Sequence, residues 1–157
     1  MKILVTGAFG QLGSEIRDLS NNYANDKFFF VDREEMPLDD LSKVMEVLES
    51  IDPDVIVSGG AYTAVDKAES EPELVDLINH QAVAVMSKWV KSNNKRLIHI
   101  STDYVFQGNS EKPLKEDEPT DPINIYGLTK QKGEQAILES GAEAIIIRTA
   151  WVYSLKP

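Results

Sequence analysis

The chain has 157 residues, no cysteine, and 16 Lys plus Arg against 26 Asp plus Glu, a formal net charge of −10. That length suits one domain or part of a larger one, and a hydrophobic fraction of 42% supports a packed core and argues against wholesale disorder. Disulfides, cysteine nucleophiles and thiolate metal sites are excluded. Apolar runs are too short to span a bilayer, signal-peptide features are missing, and the acidic balance disfavours nucleic acid, so the expectation is a cytoplasmic protein without nucleic-acid or membrane partners.

Lys2-Ile3-Leu4-Val5-Thr6 predicts a buried strand ending at Gly7. The following Gly7-Ala8-Phe9-Gly10-Gln11-Leu12-Gly13 carries glycines at its first, fourth and seventh positions. In that place Gly7 permits a tight turn, Gly10 lets backbone approach a pyrophosphate, and Gly13 lets a helix pack closely; the helix N-terminus supplies free N–H groups. Glycines can also serve a tight turn alone, but a strand before and a helix after point to a dinucleotide. Leu12, Ile16 and Leu19 predict one face of a helix from Gln11 to about Leu19. Phe28-Phe29-Phe30-Val31-Asp32 predicts a second strand closed by an acid nineteen residues after Gly13. A carboxylate there can accept from ribose hydroxyls, favouring NADH, while Arg33 could pair with a 2′-phosphate and keeps NADPH open.

Leu41, Val44, Met45 and Leu48 predict a helix stopping near Asp52-Pro53, and Asp54 to Ser58 a third strand. A helix is expected from Pro72 to Asn93, then a strand from Leu97 to Ser101. Ser101-Thr102-Asp103-Tyr104 would sit at the C-terminal end of that strand, where a hydroxyl can orient a reacting carbonyl. His99 reads as a satisfied core residue and His80 as packed or facing water, and no metal is assigned to either. Gln107 to Pro122 reads as a long surface loop. A helix from about Tyr126 to Glu139 and a strand from Ala144 to Arg148 complete the pattern. Tyr126 and Lys130, four apart, share one helix face. A neighbouring ammonium would favour the phenolate, lowering a pKa of about 10 toward neutrality, and suit Tyr126 as general acid for a carbonyl reduced by hydride.

The alternation predicts an α/β fold: a Rossmann-type, doubly wound parallel sheet with helices on both faces and ligands at the C-terminal strand ends. A sixth strand is expected of the complete fold, so the sequence reads as truncated after the fifth. Residues 1–157 would then form an NAD(P)-binding domain, with a C-terminal substrate-binding part absent.

The GxxGxxG turn, Thr102, and the YxxxK pair Tyr126 and Lys130 together resemble the extended short-chain dehydrogenase/reductase family. Gly10 to Gly13, Ala61-Tyr62-Thr63-Ala64-Val65-Asp66-Lys67-Ala68-Glu69, Ser101 to Phe106, Tyr126-Gly127, Gly133-Glu134, and Arg148 to Tyr153 resemble its dTDP-4-dehydrorhamnose reductase branch. The resemblance implies reduction of the C4 ketone of dTDP-4-dehydro-L-rhamnose by NADPH or NADH, supplying a cell-surface polysaccharide precursor. It implies Thr102 orienting the ketone, Tyr126 donating the proton, and Lys130 holding the nicotinamide ribose. It implies cofactor contacts at Gly7, Phe9, Gly10, Gln11, Leu12, Gly13, Asp32, Arg33, Leu38, Gly60, Ala61, Tyr62 and Thr63, and sugar contacts at Asp103, Tyr104 and Trp151. Burial as plain core competes for Trp151. Mg²⁺ and a homodimer follow from the resemblance alone. Ser58-Gly59-Gly60 stands where the family has Asn-Ala-Ala, and Pro37 where it has an acid. The isolated chain is expected to be weak or inactive. Two alternatives are a nucleotide-sugar epimerase or dehydratase of the same superfamily, and a non-catalytic regulatory subunit on this fold.

Overall fold

The computed structural model describes residues 1–154. Five strands, β1 (Lys2–Thr6), β2 (Lys27–Val31), β3 (Val55–Ser58), β4 (Arg96–Thr102) and β5 (Glu143–Thr149), form one parallel sheet in the order β2-β1-β3-β4-β5. The connecting helices are α1 (Gln11–Ser20), α2 (Leu41–Ile51), α3 (Val65–Ala68), α4 (Pro72–Asp76), α5 (Ala82–Ser92) and α6 (Ile125–Ser140). Every strand expected from the sequence is present to within a residue or two, as are the long helices other than the one expected from Pro72 to Asn93. Set beside the six-strand order 3-2-1-4-5-6, these five fill the places 2-1-4-5-6, and the position without a strand lies outside β2. There the chain runs through the turns of residues 32–40 straight into α2. The order reverses at β1, so the C-terminal ends of β1 and β3 frame the crevice where such sheets take their ligands.

The ends of the elements follow local rules. Asp40 caps α2 by accepting from the Lys43 N–H at 3.0 Å, and Asp52 closes that helix in the left-handed region at φ 48°. Asn124 caps α6 through the Gly127 N–H at 2.7 Å, and Gly141 ends it at φ 65°. The predicted Pro72 helix is interrupted: between α4 and α5, Leu77–Gln81 winds as a single π turn. This turn and the short α3 have no period of their own to announce them.

Leu4, Ile56, Leu97 and Ala144 stand in register across four strands. The first three are buried against Val44 and Leu48 of α2, Val83, Met86 and Val90 of α5, and Ile137 of α6. The opposite face is less covered. Ile145 and Ile147 of β5 remain 60% and 42% exposed, so the expectation of strands buried on both faces fails at this edge. Leu19, expected on the packed face of α1, is exposed as well; the Arg17 guanidinium packs over the Phe9 and Phe30 rings instead, 4.8 and 5.0 Å from their centroids.

Candidate active site

β1 delivers the chain into the glycine turn, where Gly7 takes φ +73° and its carbonyl accepts from the Gly10 N–H at 3.1 Å. A Cβ on Gly13 would stand 2.2 Å from the Gly7 carbonyl oxygen, so only glycine lets α1 begin this close to the turn. At Gly10 a Cβ would meet no protein atom nearer than 3.4 Å, leaving open space above the backbone. No side chain caps α1, whose first N–H groups are therefore available to an anion. Phe9 is exposed beside the turn, and Gln11 and Leu12 lie half-buried in the first helical turn. These features fit a pyrophosphate.

Across the crevice, the loop after β3 comes within reach of the same turn. A Cβ on Gly7 would lie 2.9 Å from Gly60 Cα, and the Gly60 N–H donates to Thr6 Oγ1 at 3.0 Å. Leu38 packs on Gly60: its Cδ1 would be 3.1 Å from a Cβ there. Ser58-Gly59-Gly60 is thus a tight passage between two backbones. Ala61 is half-buried and Thr63 exposed, while the Tyr62 ring is buried away from solvent with its hydroxyl donating to Glu71 at 2.6 Å. That bond and burial raise the Tyr62 pKa. Asp32 follows β2 immediately and turns its carboxylate onto the Arg33 N–H at 2.8 Å, leaving the Arg33 side chain exposed.

One residue that positions this loop escaped the sequence reading. Asn79, buried in the π turn, accepts from the Tyr62 N–H at 2.9 Å and donates to the Tyr62 carbonyl at 3.1 Å. The two bonds hold a Tyr62 peptide segment as a strand neighbour would. A Cβ on Gly133 would lie 2.5 Å from the Asn79 carbonyl oxygen, which explains glycine at that place in α6. An Asn followed by no recognisable turn signal carries no sequence mark of this role.

The second half of the site lies at the C-terminal end of β4. Thr102 is buried; its hydroxyl donates to Asp103 Oδ1 at 3.1 Å and accepts from the Tyr104 N–H at 3.2 Å. Asp103 and Tyr104 are exposed, and the Tyr104 ring meets that of Tyr126 edge-on at 5.6 Å. The start of α6 is pressed against this segment. A Cβ on Gly127 would lie 2.2 Å from the Tyr104 carbonyl oxygen, so Gly127 sets the approach of Tyr126 to Thr102.

Tyr126 departs from expectation in its proton affinity. Burial pushes its pKa up, Thr102 pulls the other way, and Asp103 and Tyr104 add to the rise. The Lys130 ammonium does not offset this, because it is directed inward: Nζ donates to the Ile100 carbonyl at 2.6 Å and meets His99 Nε2 at 3.3 Å. Burial lowers the Lys130 pKa to about 8, with Glu134 acting in the opposite sense. Tyr126 is thus a protonated phenol in the free protein.

Glu134, buried one turn beyond Lys130, receives the Ser101 hydroxyl and Arg148 Nε and Nη2 at 3.0 and 2.7 Å. Arg148 also reaches the Glu116 carbonyl, tying β5, α6 and the long loop together. Trp151 is 87% exposed at φ +50°, so the plain-core reading of this ring is overturned. His80 bonds Asp76 at 3.1 Å. Among the described residues, no three His, Asp or Glu converge as a cation site, and no helix is long and apolar enough to cross a membrane.

The family model described as RmlD substrate binding domain matches residues 1–157. A dTDP-4-dehydrorhamnose reductase of Escherichia coli K12 is 43% identical over 159 residues, an alignment covering 99% of this chain and 53% of the relative. The crystal structure of a dTDP-4-dehydrorhamnose reductase from Clostridium acetobutylicum superposes with a TM-score of 0.94 at 33% identity, covering 100% of this chain and 56% of that one. Its counterpart from Bacillus anthracis, solved in complex with NADP, gives a TM-score of 0.91 at 35% identity, covering 97% and 54%. The chain therefore spans about half the length of the relatives it matches.

Proposed function

The chain belongs to the RmlD substrate binding domain family, and from that premise we propose that it carries the cofactor site and proton-donating residues of an NAD(P)H-dependent reductase acting on the C4 ketone of dTDP-4-dehydro-L-rhamnose. The observation that carries the reading is the seating of Tyr126 against the end of β4, through Gly127 and the Tyr104 carbonyl, on the same sheet edge as the uncapped glycine turn. Relatives named for this reaction, one of them bound to NADP, support it.

The pyrophosphate would lie over Gly10 and the N-terminus of α1, with Phe9, Gln11, Leu12 and Gly13 around it. Leu38 and the backbone from Gly60 to Thr63 would form the opposite wall, with Asp32 and Arg33 at the adenosine end. When bound, the cofactor would supply a hydride to the ketone carbon. Thr102, released from Asp103, hydrogen-bonds the ketone oxygen. Tyr126, protonated because its burial favours the neutral phenol, gives that oxygen its proton as the alkoxide forms. Lys130, its ammonium held by the Ile100 carbonyl and His99, would keep a remaining N–H for the nicotinamide ribose. Asp103, Tyr104 and Trp151 border the space for the nucleotide sugar. A cytoplasmic location belongs to the same reading, while Mg²⁺ and a homodimer are carried by family resemblance alone.

The test is a titration with NADPH and NADH, following energy transfer from Trp89 and Trp151. Saturable binding is expected, and Gly10→Ala should weaken it at least tenfold while leaving the fold intact, because within the protein its methyl makes only ordinary contact with the Gly7 carbonyl oxygen. A folded chain that binds neither nucleotide would overturn the cofactor assignment. With the ketosugar added, the 157-residue chain is expected to turn over slowly. A full-length counterpart should consume NADPH stoichiometrically, which an epimerase does not.

A further inference from the structure

His99 is fully buried in β4, yet both its ring nitrogens have partners: Nδ1 lies 3.1 Å from Ser58 Oγ at the end of β3, and Nε2 lies 3.3 Å from Lys130 Nζ on α6. Ser58 and Lys130 are themselves buried, so three elements meet at this ring away from bulk solvent. The partners dictate the proton's place. An ammonium has three donors and no acceptor, so Nε2 facing Lys130 must offer its lone pair. The single ring proton then sits on Nδ1 and is donated to Ser58 Oγ.

We propose that His99 is a positioning residue for Lys130: fixed by Ser58 as the Nδ1–H tautomer, it accepts one ammonium N–H through Nε2 and, with the Ile100 carbonyl, leaves a single N–H for the bound nucleotide. A lysine head on a four-carbon stem otherwise rotates freely among its donors. Here two of the three directions are consumed, by a backbone carbonyl at 2.6 Å and by the imidazole, so the third is fixed by tetrahedral geometry. The arrangement reaches from the end of β3 into the site through side chains alone. It also gives the Ser58 position a task that glycine or alanine there could not perform.

The groups facing Lys130 are His99 and the Ile100 carbonyl from β4, and Tyr126 and Glu134 one turn away on its own helix; Glu134 is already engaged by Arg148 of β5. Burial and the nearby ammonium both keep His99 neutral, well below its ordinary range. A neutral ring is the form that can accept from Lys130 throughout the pH range in which the ammonium persists.

The inference rests on the reading of Lys130 as a cofactor-holding residue, and its test separates the two. The sequence has only two histidines, His80 and His99, so ¹⁵N-labelled imidazoles are resolved without further editing. The unmodified chain is expected to show His99 with a protonated Nδ1 and a bare Nε2, unchanged from about pH 5.5 to 8. His99→Leu, which keeps the bulk and removes the acceptor, should weaken NADPH binding about tenfold. It should also move the alkaline limb of the binding profile toward lower pH, since Lys130 loses a partner for its charged form. His99→Gln, whose amide oxygen can accept, should recover most of the affinity. An Nε2–H tautomer, a His99 that titrates near pH 6.5, or a Leu variant binding with the parent's affinity and pH profile would each overturn the inference. Failure of the parent to bind NADPH would instead remove the cofactor reading, while the tautomer still decides the His99 to Lys130 link.

Discussion

The two faces of the sheet are built from the same strands and meet different fates. On one, Leu4, Ile56 and Leu97 are sealed beneath α2, α5 and α6. On the other, alternate residues of the same strands find α1 near β2, and on β5 Ile145 and Ile147 are left in water. The sealed face also holds His99 and Lys130. Burial that supplies cohesion under α2 and α5 thus supplies, a few residues toward the strand ends, the dry surroundings that fix a tautomer and lower an ammonium's proton affinity. One layer of helices serves both purposes, and the difference lies in what the sequence places beneath it.

Truncating the sealed face should have the largest effect. Leu97→Ala is expected to cost about 3.5 kcal/mol in urea unfolding, the toll of a cavity that α2 and α5 cannot collapse into; a loss below about 1 kcal/mol would mean the two faces are equally soft. Next is Arg148→Ala, which strands the buried Glu134 carboxylate and should cost about 2.5 kcal/mol, with Arg148→Lys recovering only part because it cannot repeat the two-pronged contact.

Lys130→Met has the opposite sign. With the lysine pKa brought down from 10.5 to about 8, holding its charge at neutral pH costs the fold about 3 kcal/mol. Part of that returns as lost bonds to Ile100 and His99, so the variant should be about 2 kcal/mol more stable at pH 7. Between about pH 8 and 10.5 the unfolded parent holds the proton that the folded parent has released, so parent stability rises and the variant's advantage fades. Stability curves that stay parallel through that window would refute the charged, buried lysine. The smallest effect belongs to the open face: Ile147→Thr should change stability by less than about 0.5 kcal/mol. A larger loss would show that this face is packed in solution.

Much of the architecture was legible because it obeys rules of short range. Five apolar strands, their intervening helices and the glycine turn follow from periodicity and from glycine spacing. What stayed hidden depends on neighbours distant in sequence. Asn79 acts only because a π turn brings it to Tyr62, and His99 meets Lys130 across 31 residues. The same local reasoning set Lys130 against the Tyr126 pKa, since four residues on a helix share a face. The fold turned the ammonium toward β4 instead, and burial of the phenol decided the direction. The residue type of Trp151 alone suggests core as readily as a sugar platform, and only the structure shows the ring exposed.

The strand order carries a consequence for how the chain is made. Of the five strands β1 is made before the others and lies inside the sheet; β2 takes one side of it, β3 the other, and β4 and β5 each add to the margin left by the strand before. No later strand has to wedge between two that have already paired. Synthesis from the N-terminus can therefore lay the sheet down in the order in which the message is read, each strand joining a margin that already exists.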